Sequence, residues 1–537
     1  MAIPGRLLPT AFCVFLSGAL CLVAAGQSVA QEKPRYGGTL IQAIAPNPEH
    51  LVTILTTGVH IHSIGCKVYS GLLASRRDGT LGPDLAKSWE VSPDGMTYTF
   101  HLERDVRFHD GKPFTAADVK FTFEQVVAKF HPRARRVMVN MQSVETPDPF
   151  TVVIRLKRAF GPFLLSMTCP ESGILPKHLW EGTDVLKSPQ RLKPVGTGPF
   201  MFREAAAGSH ITLVRNPNYF KKGLPYLDRI ILKIIPDTPA RVLALEAGEV
   251  DFIASYFFPK QQFTRLSKMK EFQFQKDTDT PGNAIIHFNI QRKPLDDARV
   301  RRALYMALNR KLIVERADFG LGKEASSPFD SRFPWLVTPE ADYRKAYPYD
   351  PARANRLLDE AGHPKKADGT RFTVAVVYMS SHPLLPPTSQ VLRSNWADVG
   401  VKVNLVGVER AVMQERAFGK RDYDVTLQTY TSAGDPVGLV RIYATNNSRS
   451  VFVNPTWYSN PKVDELFSKG GAAADVKIRG EYYKEASKIL VTDIPSAILF
   501  ERSEVDAASA KFKGLWRAGT PYERWDEVWM AGGREKP

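Results

Sequence analysis

The sequence predicts an α/β protein that folds as two lobes. Residues 230–253 and residues 372–406 each read as a strand, a helix and a second strand joined by short connections. This order is typical of a parallel sheet covered by helices. A chain of 537 residues also supports more than one hydrophobic core, because single cores rarely grow beyond about 250–300 residues.

The clearest local pattern lies between Ser88 and Glu124. Ser92 to Gly95 (Ser-Pro-Asp-Gly) has the composition of a tight turn, so strands are expected on both sides. Apolar and polar residues then alternate from Thr97 to Leu102, as in a strand with one buried face. Thr115 and Asp118 have the spacing of a capping box and predict the start of a helix.

This region resembles a known family. The run LAKSWEVSPDGMTYTFHLERDVRFHDGKPFTAADVKFTFE is similar to the signature of the peptide and nickel binding family, family 5, of bacterial extracytoplasmic solute-binding proteins. The elements GTGPF at 196–200 and RNPNYF at 215–220 resemble further landmarks of that family, in the same order. The resemblance implies a two-lobed periplasmic-binding-protein fold of the type II, cluster C-like kind. It also implies two hinge crossings and an extra subdomain on the first lobe.

Domain limits follow from this resemblance and from the order of elements. Residues 1–30 are expected to be a signal peptide, and residues 31–62, 194–287 and 500–537 to form lobe I. Residues 63–193 are expected to form the extra subdomain, called Ib, and residues 288–499 lobe II. The hinge crossings are predicted near 288–294 and 495–505.

The N-terminus has the pattern of a secretory signal. Arg6 precedes an apolar run from Leu7 to Ala25, and Ser28-Val29-Ala30 supplies small residues for cleavage near Ala30. The run is short and contains Pro9, which argues against the alternative of a membrane anchor. We therefore expect a periplasmic protein.

Removal of the signal leaves Cys66 and Cys169 as the two cysteines. An oxidising compartment permits a disulfide between them but does not require one, and two buried free thiols remain an equal alternative.

The formal net charge of +16 does not predict nucleic-acid binding. The strongest basic concentrations are at 76–77, 133–136 and 299–310, and they lack the interleaved aromatic residues of a nucleic-acid platform. We interpret them as solvated faces, with attraction to acidic surfaces as the alternative.

The sequence contains no motif of an enzyme. It has no G-x-S-x-G, H-E-x-x-H or C-x-x-C sequence and no dinucleotide fingerprint. The GTGPF element lacks the third glycine and the lysine of a phosphate loop. His60 and His62 would share one side of a strand, but no third metal ligand lies nearby. We expect no catalytic residue, no metal and no cofactor.

The resemblance implies that ligand contacts cluster in residues 428–436. We predict contacts from Tyr430, Thr431 and Ser432 in this segment. Ser432 stands where peptide-binding members carry an acidic residue for the ligand's ammonium group. Asp435 is a further candidate, although an Asp before Pro436 is also a natural helix N-cap.

Two other segments complete the predicted site. The first lobe is expected to contribute a polar loop with Thr57, Gly58, Val59 and His60. Lobe II is expected to contribute His382, from the region 379–382, where the dipeptide receptors of the family carry an arginine. Val437 stands where the nickel receptor has a histidine.

These departures from the family pattern favour an uncharged or singly charged ligand, because a buried charge without a partner costs several kcal/mol. We therefore predict the substrate-binding component of an ABC importer. It would hold a peptide-like or other small organic solute through backbone amides, hydroxyls and aromatic rings, act as a monomer and deliver the solute to a membrane permease. The alternatives are a secreted hydrolase and a periplasmic chaperone or haem-binding protein on the same fold.

Overall fold

The computed structural model describes residues 32–77, 80–132, 134–276, 282–432, 435–446, 453–516 and 524–534. The predicted signal peptide with its cleavage site at Ala30, the basic residue Arg133, and Ala433 and Gly434 of the predicted ligand segment lie outside these ranges.

The strands within these ranges are numbered in chain order. They are β1 (Thr39–Ile44), β2 (Leu73–Ser75), β3 (Leu81–Pro83), β4 (Ala86–Val91), β5 (Thr97–Leu102), β6 (Met141–Asp148), β7 (Thr151–Leu156), β8 (Phe200–Ala206), β9 (His210–Arg215), β10 (Arg229–Ile234), β11 (Phe252–Ile253), β12 (Phe272–Lys276), β13 (Gly282–Phe288), β14 (Lys323–Glu324), β15 (Phe372–Met379), β16 (Val401–Val408), β17 (Val425–Thr431), β18 (Ser496–Arg502), β19 (Val505–Ser509), β20 (Phe512–Lys513) and β21 (Trp529–Met530).

The α-helices are numbered in the same way. They are α1 (Val59–Val68), α2 (Ala116–Phe121), α3 (Ala128–Phe130), α4 (Arg135–Met138), α5 (Cys169–Ser172), α6 (Lys177–Trp180), α7 (Thr238–Glu246), α8 (Phe263–Leu266), α9 (Ala298–Met306), α10 (Arg310–Ala317), α11 (Tyr343–Ala346), α12 (Pro351–Glu360), α13 (Leu385–Asp398), α14 (Arg410–Gln414), α15 (Val437–Val440), α16 (Pro461–Ala472) and α17 (Val476–Asp493). A π-helical turn follows α2 at Thr122–Val127 and another follows α14 at Glu415–Lys420, and a 3-10 helix spans Gly161–Met167.

Three larger sheets organise the molecule. The first has seven strands in the order β12-β19-β11-β1-β10-β9-β8, and the second has six in the order β14-β18-β13-β17-β15-β16. A separate four-stranded sheet has the order β4-β5-β7-β6. Parallel pairs occur in the seven-stranded sheet, β1 with β10, and in the six-stranded sheet, β15 with β16, so the predicted α/β class is confirmed.

The cores follow the same division. One continuous core joins residues of the seven-stranded and four-stranded sheets, such as Leu232 and Ile154. The six-stranded sheet has its own core on each face, with Val376 on one face and Ile285 on the other. The four-stranded sheet therefore stands on the first lobe, while the second lobe packs around a separate sheet.

The local predictions around residues 88–124 are confirmed. The Gly95 amide donates to the Ser92 carbonyl oxygen across the turn, and β4 and β5 pair on either side of it. The Thr115 amide donates to the Asp118 carboxylate at 2.9 Å, which completes the capping box at the start of α2.

The chain changes sheet earlier than predicted. β12 belongs to the seven-stranded sheet and β13 to the six-stranded sheet, so the first crossing lies between Lys276 and Gly282 rather than at 288–294. β13 is paired on both sides, with β17 and with β18, and all its residues are buried. Such a strand shows no alternation that would assign it to one sheet from sequence alone. The second crossing, between Arg502 and Val505, falls within the predicted range.

A disulfide joins Cys66 in α1 to Cys169 in α5, with their Cα atoms 5.8 Å apart. Of the two alternatives that the sequence left open, the structure has the disulfide. Both cysteines lie within the predicted subdomain Ib, and the bond ties α1, whose first turn holds Val59 and His60 of the predicted ligand loop, to α5.

We predict that this disulfide contributes about 4–5 kcal/mol to stability, because it closes a loop with a sequence separation of 103 residues and so restricts the unfolded chain. Urea unfolding with and without dithiothreitol measures the effect. The reductant should lower the unfolding free energy of the wild type and leave a Cys66→Ala, Cys169→Ala double variant unchanged. An equal response of the two proteins would contradict the prediction.

Candidate functional site

The predicted ligand segment lies at one edge of the six-stranded sheet. β17 ends at Thr431, which pairs with Gly282 at the start of β13, and Gly282 pairs in turn with Arg502 at the end of β18. The parallel strands β15 and β16 end at the same edge. At this edge β13 begins, after the chain has left β12, and β18 ends, before the chain enters β19. Since β12 and β19 belong to the seven-stranded sheet, the edge faces the junction between the two sheets.

Of the predicted contact residues, Tyr430 and Thr431 end β17 and Ser432 follows it, and Tyr430 and Ser432 are almost fully buried. The Tyr430 ring lies edge-on to His287, with ring centroids 5.5 Å apart. The Ser432 side chain is 1% exposed, and its Oγ has no hydrogen-bond partner among the described residues. Ser432 thus offers a neutral polar group at the position where the family resemblance implies an acid.

Asp435 is already occupied by another side chain. Its carboxylate accepts from both terminal nitrogens of Arg479 at 2.9 and 2.7 Å, and it also accepts from the Val437 amide at 2.8 Å. Both side chains are buried, and the Arg479 guanidinium lies 5.5 Å from the ring centroid of Trp335. Asp435 therefore does more than the helix capping that the sequence indicated, because it also forms a buried ion pair with Arg479.

His382 packs beside the same edge. Its Nε2 lies 3.1 Å from Thr429 Oγ1, and its Nδ1 accepts from the Leu384 amide at 3.2 Å. Burial, aided by the positive charge of Arg502, lowers the pKa of His382 to about 4. The imidazole is therefore neutral near pH 7, with Nε2 carrying the proton.

The predicted first-lobe loop is shorter in the structure. Val59 and His60 form the first turn of α1, preceded by Gly58 as N-cap, whereas Thr57 is exposed. His60 Nε2 lies 3.6 Å from a carboxylate oxygen of Glu49, and the buried His62 Nε2 contacts the backbone oxygens of Thr53 and Thr56.

The prediction that His60 and His62 share one side of a strand is wrong. In a helix, residues two apart point about 200° from each other, so the two imidazoles diverge. The described part of the chain holds no group of three or more His, Cys, Asp or Glu side chains arranged to bind a metal ion.

Sequence reasoning missed three polar residues at the sheet edge. Asn283 in β13 pairs with both Tyr430 and Glu501 in the neighbouring strands, and Arg502 follows Glu501. The only sequence signal was an isolated Asn at the start of an apolar run, Asn283 to Phe288. These three residues lie at the same sheet edge only because strands distant in the sequence pair with each other, and a local sequence pattern does not encode that pairing.

Glu501 is a buried carboxyl held by neutral donors. Ser331 donates to it twice, from its amide at 3.0 Å and from its hydroxyl at 2.6 Å, and the ammonium group of Lys323 lies 3.6 Å away. Burial, together with the nearby charge of Asp330, raises the pKa of Glu501 to about 7. The group therefore holds its proton well above the pH at which an exposed Glu loses it.

The comparisons with known proteins agree with this architecture. The family model of bacterial extracellular solute-binding proteins, family 5, middle region, matches residues 80–450. The chain belongs to this family. The resemblance inferred from the sequence is confirmed, and members of the family serve as the solute-binding components of ABC importers rather than as enzymes.

Individual relatives cover most of the chain. Heme-binding protein A of Haemophilus influenzae is 30% identical over 470 residues, which span 82% of this chain and 83% of that protein. The oligopeptide-binding protein AppA from Bacillus subtilis, solved in complex with a nonapeptide, is 25% identical with a TM-score of 0.69 over 93% of this chain and 100% of that one. HbpA2 from Haemophilus parasuis, at 24% identity, has a TM-score of 0.83 over 92% of this chain and 100% of that one, which shows the shared fold.

We predict that Asp435→Asn lowers the unfolding free energy by about 3–5 kcal/mol, because it leaves the Arg479 guanidinium buried without a counter-charge. Asp297→Asn is a matched control. Asp297 also accepts from a backbone amide and pairs with Arg299, but in an exposed setting, so its loss should be about 1 kcal/mol or less. Urea unfolding at pH 7 distinguishes the two variants, and similar small losses would contradict the prediction.

We also predict that Glu501 makes stability depend on pH. Its folded-state pKa of about 7 lies above the ordinary value of 4.5, so its contribution is fully present below about pH 4.5 and is lost as the pH rises through 7. Glu501→Gln should therefore gain stability relative to wild type between pH 5 and pH 8, on the order of 2 kcal/mol. Parallel stability profiles of the two proteins over this range would contradict the assignment.

Proposed function

We propose that this chain captures a peptide-like or other small organic solute, uncharged or singly charged, between its two lobes and delivers it to the permease of an ABC importer. The solute-binding role is that of the family. The choice of ligand is the further step, and it rests on one observation in the ligand segment.

That observation is the ion pair between Asp435 and Arg479. Asp435 is the acidic residue of the described part of the segment 428–436, and a bidentate pair with Arg479 already engages its carboxylate. A ligand ammonium group placed there would compete with a buried arginine. The other charged residues at this edge are also engaged, Glu501 by Ser331 and Arg502 by Glu504. Tyr430, Thr431 and Ser432 are neutral, so an uncharged group suits them better.

The cost of burying a charge, compared with the free energy of ligand binding, also favours an uncharged or singly charged ligand. A buried ligand charge without a partner costs several kcal/mol, and a micromolar complex has only about 8 kcal/mol of binding free energy. A zwitterionic dipeptide would bring two such charges into the cleft. A ligand with blocked or absent termini avoids both costs.

The cellular setting is part of the same proposal. Family members act outside the cytoplasm, and within the described ranges no helix has both the length and the apolar character needed to cross a bilayer. We infer that residues 1–30 direct export to the periplasm, that the receptor acts as a monomer, and that it performs no catalysis and binds no nucleic acid.

We infer that closure of the two lobes around a ligand involves the close contact between Gly161 and Ala473. Gly161, the first residue of the 3-10 helix Gly161–Met167, lies against Ala473, the C-cap residue of α16. A Cβ atom at residue 161 would overlap the carbonyl oxygen of Ala473 and approach the Arg479 side chain. The helix of Gly161 packs into the first core through Phe163, and α16 packs into the second through Phe467. The contact thus joins elements of two different cores.

We predict that Gly161→Ala weakens ligand binding about tenfold, because an overlap worth about 1–3 kcal/mol can be relieved by opening the lobes. Gly471→Ala is the control, since a Cβ atom at that position of α16 meets no atom within 4 Å. Thermal-shift titration of wild type and both variants would use N-acetylated, C-amidated tripeptides, free dipeptides and haem.

The blocked tripeptides should stabilise the wild type and the Gly471→Ala protein at lower concentrations than the Gly161→Ala protein. Stabilisation by free dipeptides alone would contradict the proposed ligand class. A saturable haem absorbance band without any peptide effect would instead favour the haem-binding alternative. Equal affinities of the two glycine variants would rule out a role of the Gly161 contact in closure.

A further inference from the structure

Asn283 is a fully buried amide without a partner. It lies in β13 between β17 and β18 and has 0% exposure. Neither its Oδ1 nor its Nδ2 has a hydrogen-bond partner among the described residues. Leaving a buried polar group unpaired costs about 1–3 kcal/mol, so an arrangement that leaves both ends of one side chain unpaired needs an explanation.

A second unpaired group lies at the same end of the paired strands β13 and β17. Asn283 pairs with Tyr430 of β17, and cross-strand partners project their side chains to the same face. Ser432 directly follows Thr431, the last residue of β17, and the partner of Thr431 in β13 is Gly282, the neighbour of Asn283. Its Oγ is also buried and unpaired among the described residues.

Both residues lie where the second sheet meets the junction with the first lobe. Asn283 is the second residue of β13 after the first crossing, and Ser432 is the first residue after β17. The next strand partner of Asn283 is Glu501, whose carboxylate is already bound by Ser331. The neighbouring charged pair, Asp435 with Arg479, is satisfied internally. Arg502, at the same edge, pairs with Glu504, whose carboxylate oxygen lies 3.0 Å from the Arg502 Nε. The two side chains left here without any partner among the described residues, Asn283 and Ser432, are therefore both neutral.

We propose that Asn283 and Ser432 form a subsite that binds an amide group of the ligand, an inference that rests on the proposed function and specifies its ligand chemistry. A carboxamide presents one acceptor and two donor hydrogens in a plane, which matches the N–H and C=O of a peptide group. The Ser432 hydroxyl donates or accepts as the ligand requires. Such a pair reads a neutral peptide-like group and gives no preference for a free ammonium or carboxylate.

A buried Asn with a purely structural role has hydrogen-bond partners for its side-chain amide, and Asn289 is an example in this chain. Asn289 is also buried, but its Nδ2 donates to the backbone oxygens of Arg421 and Tyr423, and its Oδ1 accepts from the Gln291 amide. Replacing Asn289 by Leu removes these bonds and leaves their backbone partners unpaired, whereas replacing Asn283 by Leu removes only unpaired atoms.

The test therefore compares Asn283→Leu with Asn289→Leu in two measurements on the full mature chain. The first is the melting temperature without ligand. It should be unchanged or higher for Asn283→Leu and clearly lower for Asn289→Leu. The second is binding of an equimolar mixture of N-acetylated, C-amidated tripeptides, measured by native mass spectrometry. The dissociation constants of the retained tripeptides should rise about tenfold or more in Asn283→Leu, because the peptide group then lacks its donor and acceptor.

Two results would overturn the inference directly: unchanged tripeptide affinity in Asn283→Leu, or destabilisation of its ligand-free form as large as that of Asn289→Leu. A third separates it from the proposed function. If the wild type retains no blocked tripeptide but does retain other solutes from an extract of growth medium, the amide subsite is wrong while the receptor role stands. Retention of nothing from either source would overturn both.

Discussion

The two-lobed arrangement depends on two antiparallel strand pairs, one in each of the two largest sheets, between which the chain crosses. β13 pairs with β18 in the second sheet, and β12 pairs with β19 in the first. The chain passes between these pairs twice, from Lys276 to Gly282 and from Arg502 to Val505. Lys276 pairs with Val505 and Gly282 with Arg502, so the two strand pairs end close to each other at the second crossing. Relative motion of the lobes must therefore be accommodated near Arg502 to Val505.

A buried carboxylate fixes one of the two crossings. Asp318, which follows α10, accepts from the Ser503 amide at 3.0 Å and from the Lys260 ammonium group at 2.9 Å. Ser503 belongs to the second crossing, and Lys260 lies between strands β11 and β12 of the first sheet. Asp318 therefore joins the hinge, the second lobe and the first lobe through one side chain. Burial raises the pKa of this carboxyl, while the Lys260 charge opposes that shift.

Local chemistry explains which parts of the fold the sequence predicts. The turn at Ser92 to Gly95 and the capping box of Thr115 and Asp118 depend on residues within a few positions of each other, so composition and spacing suffice. The strand–helix–strand units are also readable, because hydrophobic periodicity persists over whole elements. The start of α1 cannot be predicted in this way, because the sequence around His60 and His62 fits a strand as well as a helix.

Features that depend on distant partners escape the same reasoning. β13 reads as a generic buried strand, and only its pairing with β17 and β18 assigns it to the second sheet. Asp435 looks available to a ligand until Arg479, which is distant in the sequence, is placed beside it. Asn283 is the opposite case. A polar residue in an apolar run ordinarily forms hydrogen bonds with a neighbour, and only the folded structure shows that the Asn283 side chain forms none with the described residues.

The contrast between Asp435 and Asn283 bears on the ligand preference proposed for this chain. A charge that has a buried internal partner stabilises the lobe, and a ligand would have to break that pair to use it. A neutral group left unpaired costs stability in the free protein, and a ligand that satisfies it recovers this cost on binding. The second arrangement favours ligands that present complementary dipoles and disfavours those that bring a net charge. The family resemblance alone, which points to the position of Ser432, does not contain this distinction.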